Sequence, residues 1–333
     1  MSETARYRLV LGLLASLTGV LFLLSLATGP AAIAFTEGLA ALLSGDGAEM
    51  TLIMREIRLP RAILGLMIGA TLGLSGAVLQ GYLRNPLAEP GLLGVSASAS
   101  LGAVLSIYTG LSAAFSLALP LAALLGAAAA VVVVRAMAGA GGATLTIILA
   151  GIAVSAFAGA MTSLALNLSP NPFAALEIVF WMLGSLTDRS MLHVWLAAPF
   201  MLAGWLMLAS PARALDALTL GASAAASLGV DMRRVQFLAV FGTAAAVGGA
   251  TAVAGAIGFV GLIAPHLLRP LVGALPSRLL PASALAGAAM LLAADFLVRV
   301  IAPERDLKLG VLTALVGAPF FLWLVWRSRR TML

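Results

Sequence analysis

The sequence predicts an all-α polytopic membrane protein of about ten spans, at roughly 20 apolar residues per span. Three observations carry that expectation. The 333-residue chain is 62% hydrophobic and only 10% charged, where soluble domains hold about 25% charged residues. Its apolar runs are long enough to cross a bilayer and are joined by short connections. Two of the runs are interrupted by proline and glycine in related places. No linker or low-complexity tract divides the chain, so residues 1–333 read as a single membrane domain. The formal charge of +6 does not point to nucleic acid, because the basic residues are scattered at the ends of runs and form no patch. Without cysteine, disulfides, thiolate metal ligands and thiol catalysis are excluded.

The first run, Leu9 to about Ala27, follows Arg6 and Arg8. It exceeds the about 7 to 15 residues of a signal-peptide core, so it reads as span one, with cleavage as the competing reading. An outer loop of about 29–60 follows, holding Glu37, Asp46, Glu49, Arg55 and Glu56, with room for a short amphipathic helix. Span two is expected over about 61–82, and Gly65, Gly69 and Gly73 line one stripe of it, which lets another helix approach closely. The chain breaks at Arg84-Asn85-Pro86 and again at Pro90-Gly91. A break at membrane depth leaves backbone groups unpaired and is tolerated only inside protein or along a watery path, so this segment is candidate pathway lining.

Spans three to five are expected at about 92–108, 115–134 and 144–166, with a Gly-rich turn at Ala138 to Ala143 before the fifth. An outer short helix and loop of about 167–190 contains Pro170 and Pro172, and span six covers about 191–209. The inner stretch of about 211–234 carries Arg213, Asp216, Asp231, Arg233 and Arg234 around a small-residue helix, GASAAASLGV. Span seven, about 235–255, runs into the second broken segment, GFVGLIAPHLLRPLVG, whose span eight is short, about 257–271. Spans nine and ten occupy about 280–298 and 309–326. This threading puts twelve Lys/Arg inside and seven outside, which places both termini in the cytoplasm. Five spans separate the two breaks, so they point opposite ways, the pattern of an inverted repeat around a central pathway.

Eight phrases in this order resemble one family, the FecCD/BtuC-type permeases of ABC importers, which take up ferric siderophores, haem and vitamin B12. They are RLPR at Arg58 to Arg61, GATLGLSGAVLQ at Gly69 to Gln80, NPLAEPGLLGVS at Asn85 to Ser96 and FWMLGSL at Phe180 to Leu186. The others are SLGV at Ser227 to Val230, GFVGLIAPHLLR at Gly258 to Arg269, LPASALAGA at Leu280 to Ala288 and GVLTALVGAPFF at Gly310 to Phe321. The resemblance implies a type II ABC importer permease fold with ten spans per subunit. It also implies a homodimer with the pathway at its interface, two ABC ATPase subunits below and a periplasmic substrate-binding protein above, in the bacterial inner membrane. No cofactor is expected on this chain; ATP and Mg would be used by the partner ATPase. Composition agrees, because a P-loop needs Lys before Ser/Thr and the only lysine, Lys308, precedes Leu309.

The resemblance assigns candidate residues. Arg58, Arg61 and Arg299 are outward arginines that would pair with glutamates of the binding protein, a guanidinium being suited to bidentate carboxylate recognition; interfacial snorkelling is the alternative. Arg299 lies four residues after Asp295, so an intrahelical pair is also open. Leu220, Gly221, Ala222 and Ser223, with Ser227, Leu228, Gly229 and Val230, would form the helix gripped by the ATPase. The acidic residues usual after Leu-Gly are absent here. Asn85, Leu87 and Thr144 match an inner gate, with capping as the alternative for Asn85 and Thr144. Asp188 and Arg189 stand at the expected mouth, where an arginine would attract haem propionates or an anionic chelate; this leans to haem over siderophore or cobalamin. His193 and His266 are lone histidines, so no metal site is expected. An ion-coupled secondary transporter using Asp295 and a membrane enzyme are the readings from other classes. An enzyme would need clustered carboxylates or histidines at membrane depth, which the sequence lacks.

Overall fold

A computed structural model describes residues 2–29, 31, 33–44, 49–115, 117–139, 144–302 and 307–329. The chain begins with α1 (Glu3–Ala27), α2 (Phe35–Ser44) and α3 (Glu49–Leu52), and a π-turn (Ile53–Arg58) joins α3 to α4 (Leu59–Leu83). A 3-10 turn (Pro90–Leu93) precedes α5 (Val95–Tyr108), followed by α6 (Leu111–Ala114), α7 (Ala118–Ala138), α8 (Thr144–Asn167) and α9 (Pro172–Met182). Then come α10 (Met191–Ala209), α11 (Ala212–Leu218), α12 (Ala222–Ser227), α13 (Met232–Ala254), α14 (Val260–Val272), α15 (Pro276–Ile301) and α16 (Leu309–Arg329).

Helix α4 is the axle. Most of its residues are buried, and it packs against α15, α14, α13 and α10. The glycine stripe explains how so many helices fit around it. A Cβ on Gly69 would overlap Gly287 O, and one on Gly73 would overlap Ser283 O, so α4 and α15 meet backbone to backbone. One turn further on, Gly76 admits the carbonyl of Gly261 in α14 in the same way. Helices α5 and α7 repeat the device with Gly102 against Ala122 O and Gly126 against Ser98 O. In a bilayer, where apolar side chains gain nothing by leaving lipid, such close backbone packing is a main source of helix association.

Eight of the described helical segments are long and apolar enough to cross a membrane, fewer than the about ten expected. The third and eighth expected spans are the shortfall: α5 has 14 residues and α14 has 13. Each is short because it starts inside a broken segment. Span two also begins earlier than expected. Glu49–Leu83 is one continuous 35-residue helical segment, so the outer loop ends at about residue 48. Pro60, which reads as a helix start, sits instead just after the π-turn, where Leu59 N–H reaches back to Met54 O. A proline inside a helix conflicts with the carbonyl four residues behind it, and a π-turn is a common local adjustment. The outer loop does hold a short helix, α2, and the outer segment after α8 holds α9. Residues 140–143 of the Gly-rich turn, Arg305 and Arg330 lie outside the described residues.

The α4–α15 contact yields a direct test. Gly73→Val should cost about 3 kcal/mol through overpacking, read as thermal unfolding of the detergent-solubilised protein. Gly81→Ala, whose Cβ would meet Pro276 Cγ at an ordinary 3.5 Å, should unfold like the wild type.

Candidate functional site

Both interruptions are built from left-handed turns. Helix α4 stops at Arg84 in the αL conformation (φ 49°, ψ 36°), and Asn85 N–H donates to Gln80 O at 3.2 Å. The Asn85 side chain accepts from Leu87 N–H at 2.9 Å, closing a turn ahead of Ala88. The segment then lies on α8, where Gly151 leaves room for Leu92 O. At the second interruption, α13 ends at Gly255 (φ 73°) and α14 opens at Phe259 (φ 67°), a rare conformation for an aromatic residue. Gly255 fits under Trp181 O, Ser185 N–H donates to Ala254 O at 2.8 Å, and the Phe259 ring occupies the space left by Gly317 of α16.

The two interruptions touch. A Cβ on Gly261 would lie 2.8 Å from Pro90 Cδ, and the Glu89 carboxylate accepts from the Phe259 backbone. Gln80 bridges from α4, donating to Leu262 O at 3.3 Å and Gly261 O at 3.5 Å while accepting from Arg269 at 2.8 Å. Backbone groups freed by the breaks are thus paired inside the protein, which is the condition for irregular backbone within a membrane.

At the other end of α4, the three candidate docking arginines form one cluster. Asp295, 2% exposed at its side chain, is held by Arg61 and by Arg299, each at 2.8 Å. Arg299 also donates to Ser25 O at 2.9 Å, Ser25 Oγ at 2.8 Å and Thr28 O at 2.6 Å. Arg58, 4% exposed, donates to Leu26 O and Ala27 O at 3.0 Å and to Ala31 O. Of these acceptors, Ser25 O, Leu26 O and Ala27 O are carbonyls that the last turn of α1 leaves without helical partners, at the negative end of its dipole. The intrahelical Asp295–Arg299 pair is therefore present, and Arg61 is the most exposed of the three arginines, at 17%.

The remaining candidates are dispersed. Leu220 to Ser223 and Ser227 to Val230 lie on and around α12, largely exposed, between the positive-φ residues Gly221 and Gly229. Asp188 takes an αL conformation in the α9–α10 connection, and the neighbouring Arg189 has a buried Nε with no hydrogen-bond partner among the described residues. Thr144 opens α8, and its side chain lies outside the described residues. Among the described residues no group of three or more His, Asp or Glu could hold a metal. Sequence reasoning missed Gln80, Glu89 and Ser25. Gln80 had a signal, a lone amide in an apolar helix, whereas Ser25 is one of many small residues in α1.

Long apolar helices gathered around two interruptions that meet, with a polar loop face at one end, define a multi-pass membrane permease. The chain belongs to the FecCD transport family, whose model matches residues 17–327. It is 42% identical over 273 residues to the cobalamin import system permease protein BtuC of Halobacterium salinarum, covering 82% of this chain and 73% of that one. It is 36% identical over 332 residues to the hemin transport system permease protein HmuU of Yersinia pestis, covering 99% and 98%. A solved structure of a metal-chelate type ABC transporter in an inward-facing conformation matches with a TM-score of 0.83 and 32% identity, over 96% of this chain and 99% of that one.

Asp295→Asn removes the charge of the buried carboxylate that two half-buried guanidiniums share and should cost about 3–5 kcal/mol. Ser25→Ala, which removes one hydroxyl acceptor, should cost about 1–2 kcal/mol. Unfolding of both variants in detergent micelles checks the order.

Proposed function

We propose that this chain forms, as a homodimer, the translocation pathway of an ATP-driven importer for a metal chelate. The observation that supports this most is the meeting of the two interruptions at Pro90 and Gly261. In the proposed assembly each subunit crosses the inner membrane about ten times, counting the short α5 and α14, with both termini in the cytoplasm. Two ABC ATPase subunits, which use ATP and Mg, sit on the loop face and grip Leu220 to Val230. A periplasmic substrate-binding protein docks opposite. Lipid surrounds the dimer, and the chain itself holds no cofactor.

Asn85, Leu87 and Thr144 are assigned to the inner gate; the turn that Asn85 closes would set where Leu87 stands. Binding-protein docking is assigned to the edge around Arg61. Arg58 and Arg299 would shape that edge indirectly, since their donors are already spent on α1 and Asp295. Haem is the favoured cargo over a siderophore or cobalamin. Two things support it: near full-length similarity to a hemin permease protein, and Arg189, whose buried, unpartnered Nε suits an incoming carboxylate. Ion coupling through Asp295 fits less well, because both of its carboxylate oxygens are already taken, one by Arg61 and the other by Arg299, each at 2.8 Å.

The test is uptake into proteoliposomes containing this chain, its ATPase and its binding protein, with haem, a ferric siderophore and cobalamin offered separately. Haem alone should accumulate, only with ATP. Arg189→Ala should slow it about tenfold, and Arg61→Ala should weaken binding-protein docking by a similar factor. Another cargo would overturn the substrate assignment, and uptake without the ATPase would overturn the importer reading.

A further inference from the structure

The loop face carries a second, unassigned feature: a cavity of about 210 Å³ lined by Gln80, Gly81, Arg84, Thr219, Arg269 and Pro276, among others. Its floor, at Gln80, Pro276 and Leu279, is buried, and its rim, at Arg84, Pro86, Thr219 and Ala274, is exposed. The walls come from the inner end of α4 and the turns beside it, so the mouth opens toward the loops. Two guanidiniums line it, and among the described residues neither has a carboxylate within ion-pair distance. Among the described residues Arg269 donates only to the neutral Gln80 oxygen, at 2.8 Å.

The carboxylates on this face are already engaged. Glu3 pairs with Arg278, and Asp216 accepts from Ser277 N–H at 2.8 Å. Asp231 caps α13 by accepting from the N–H groups of Arg233 and Arg234, and Glu89 holds the Phe259 backbone. A half-enclosed pocket with two positive charges and no internal counter-charge is built to take an anion from outside.

We infer that Arg84 and Arg269 receive an acidic side chain of the ATPase subunit, in a contact separate from the α12 loop. This rests on the proposed importer reading and deepens it. The pocket is continuous with the coupling segment, since Thr219 on its rim directly precedes Leu220. Its buried floor around the inner end of α4 favours a soluble partner over a lipid headgroup. Through Gln80, the position of Arg269 is passed to the carbonyls of Gly261 and Leu262 at the second interruption.

The experiment measures affinity of the purified ATPase subunit for the full chain in nanodiscs, across a salt series. Arg84→Gln removes an exposed side chain with no ion-pair partner among the described residues, so folding is not at stake; it should weaken binding about fivefold. Arg84→Gln with Arg269→Gln should weaken it about thirtyfold or more and flatten the salt dependence. Arg8→Gln, an equal loss of charge at the exposed start of α1, should stay within about twofold of wild type. Binding by the wild type but equal binding by the double variant would overturn the pocket and leave the importer reading intact. Failure of the wild type to bind any ATPase would overturn both. Native mass spectrometry showing phosphatidylglycerol held by the wild type and lost from the double variant, with ATPase affinity unchanged, would assign the pocket to lipid and overturn the inference.

Discussion

Everything in this chain depends on how closely α4 and α15 approach. With glycine at 69, 73 and 287, carbonyls of one helix lie where side chains of the other would stand. The contact leaves no latitude in rotation or register, so both ends of α4 are fixed at once. At one end it brings Arg61 to Asp295. At the other it brings Gln80 between α14's carbonyls and Arg269. A leucine-lined interface, adjustable by rotamer changes, would hold neither end so firmly.

The interruptions are tolerable for the same reason. Breaking a helix at membrane depth leaves backbone donors and acceptors that lipid cannot satisfy. Here each break is answered by protein: Asn85 N–H by Gln80 O, Leu87 N–H by the Asn85 side chain, the start of α14 by Glu89, and the end of α13 by Ser185. Glycines at 151, 255, 261 and 310 let the answering chain come close enough. The segments are thus irregular yet held, a combination suited to a part that must stay in place while its neighbours move.

Much of this was legible in the sequence, where the signal was local. The glycine stripe, the two breaks, the Asp295–Arg299 spacing and the small helices outside the spans are all patterns within a few residues. What was not legible depends on partners far away along the chain. Arg61 and Asp295 are 234 residues apart, and nothing near either announces the other. Arg58 was expected to face a binding protein, yet its donors close the end of α1; an arginine beside a membrane boundary looks the same whether it points in or out. The early start of the second span was hidden by Pro60, which reads as the first turn of a helix although the π-turn carries the helix through from Glu49.

The arginine closure of α1 also has a consequence for how the chain is made. The last carbonyls of α1 are capped by Arg58 and by Arg299, the latter 274 residues downstream of Ser25. During synthesis α1 leaves the ribosome long before α15, with its C-terminal carbonyls only half answered until α15 arrives. A helix made early is therefore completed late. Its C-terminal end must remain in contact with water or with the insertion machinery until then, and a chain truncated before α15 would carry an α1 whose C-terminal end had never been finished.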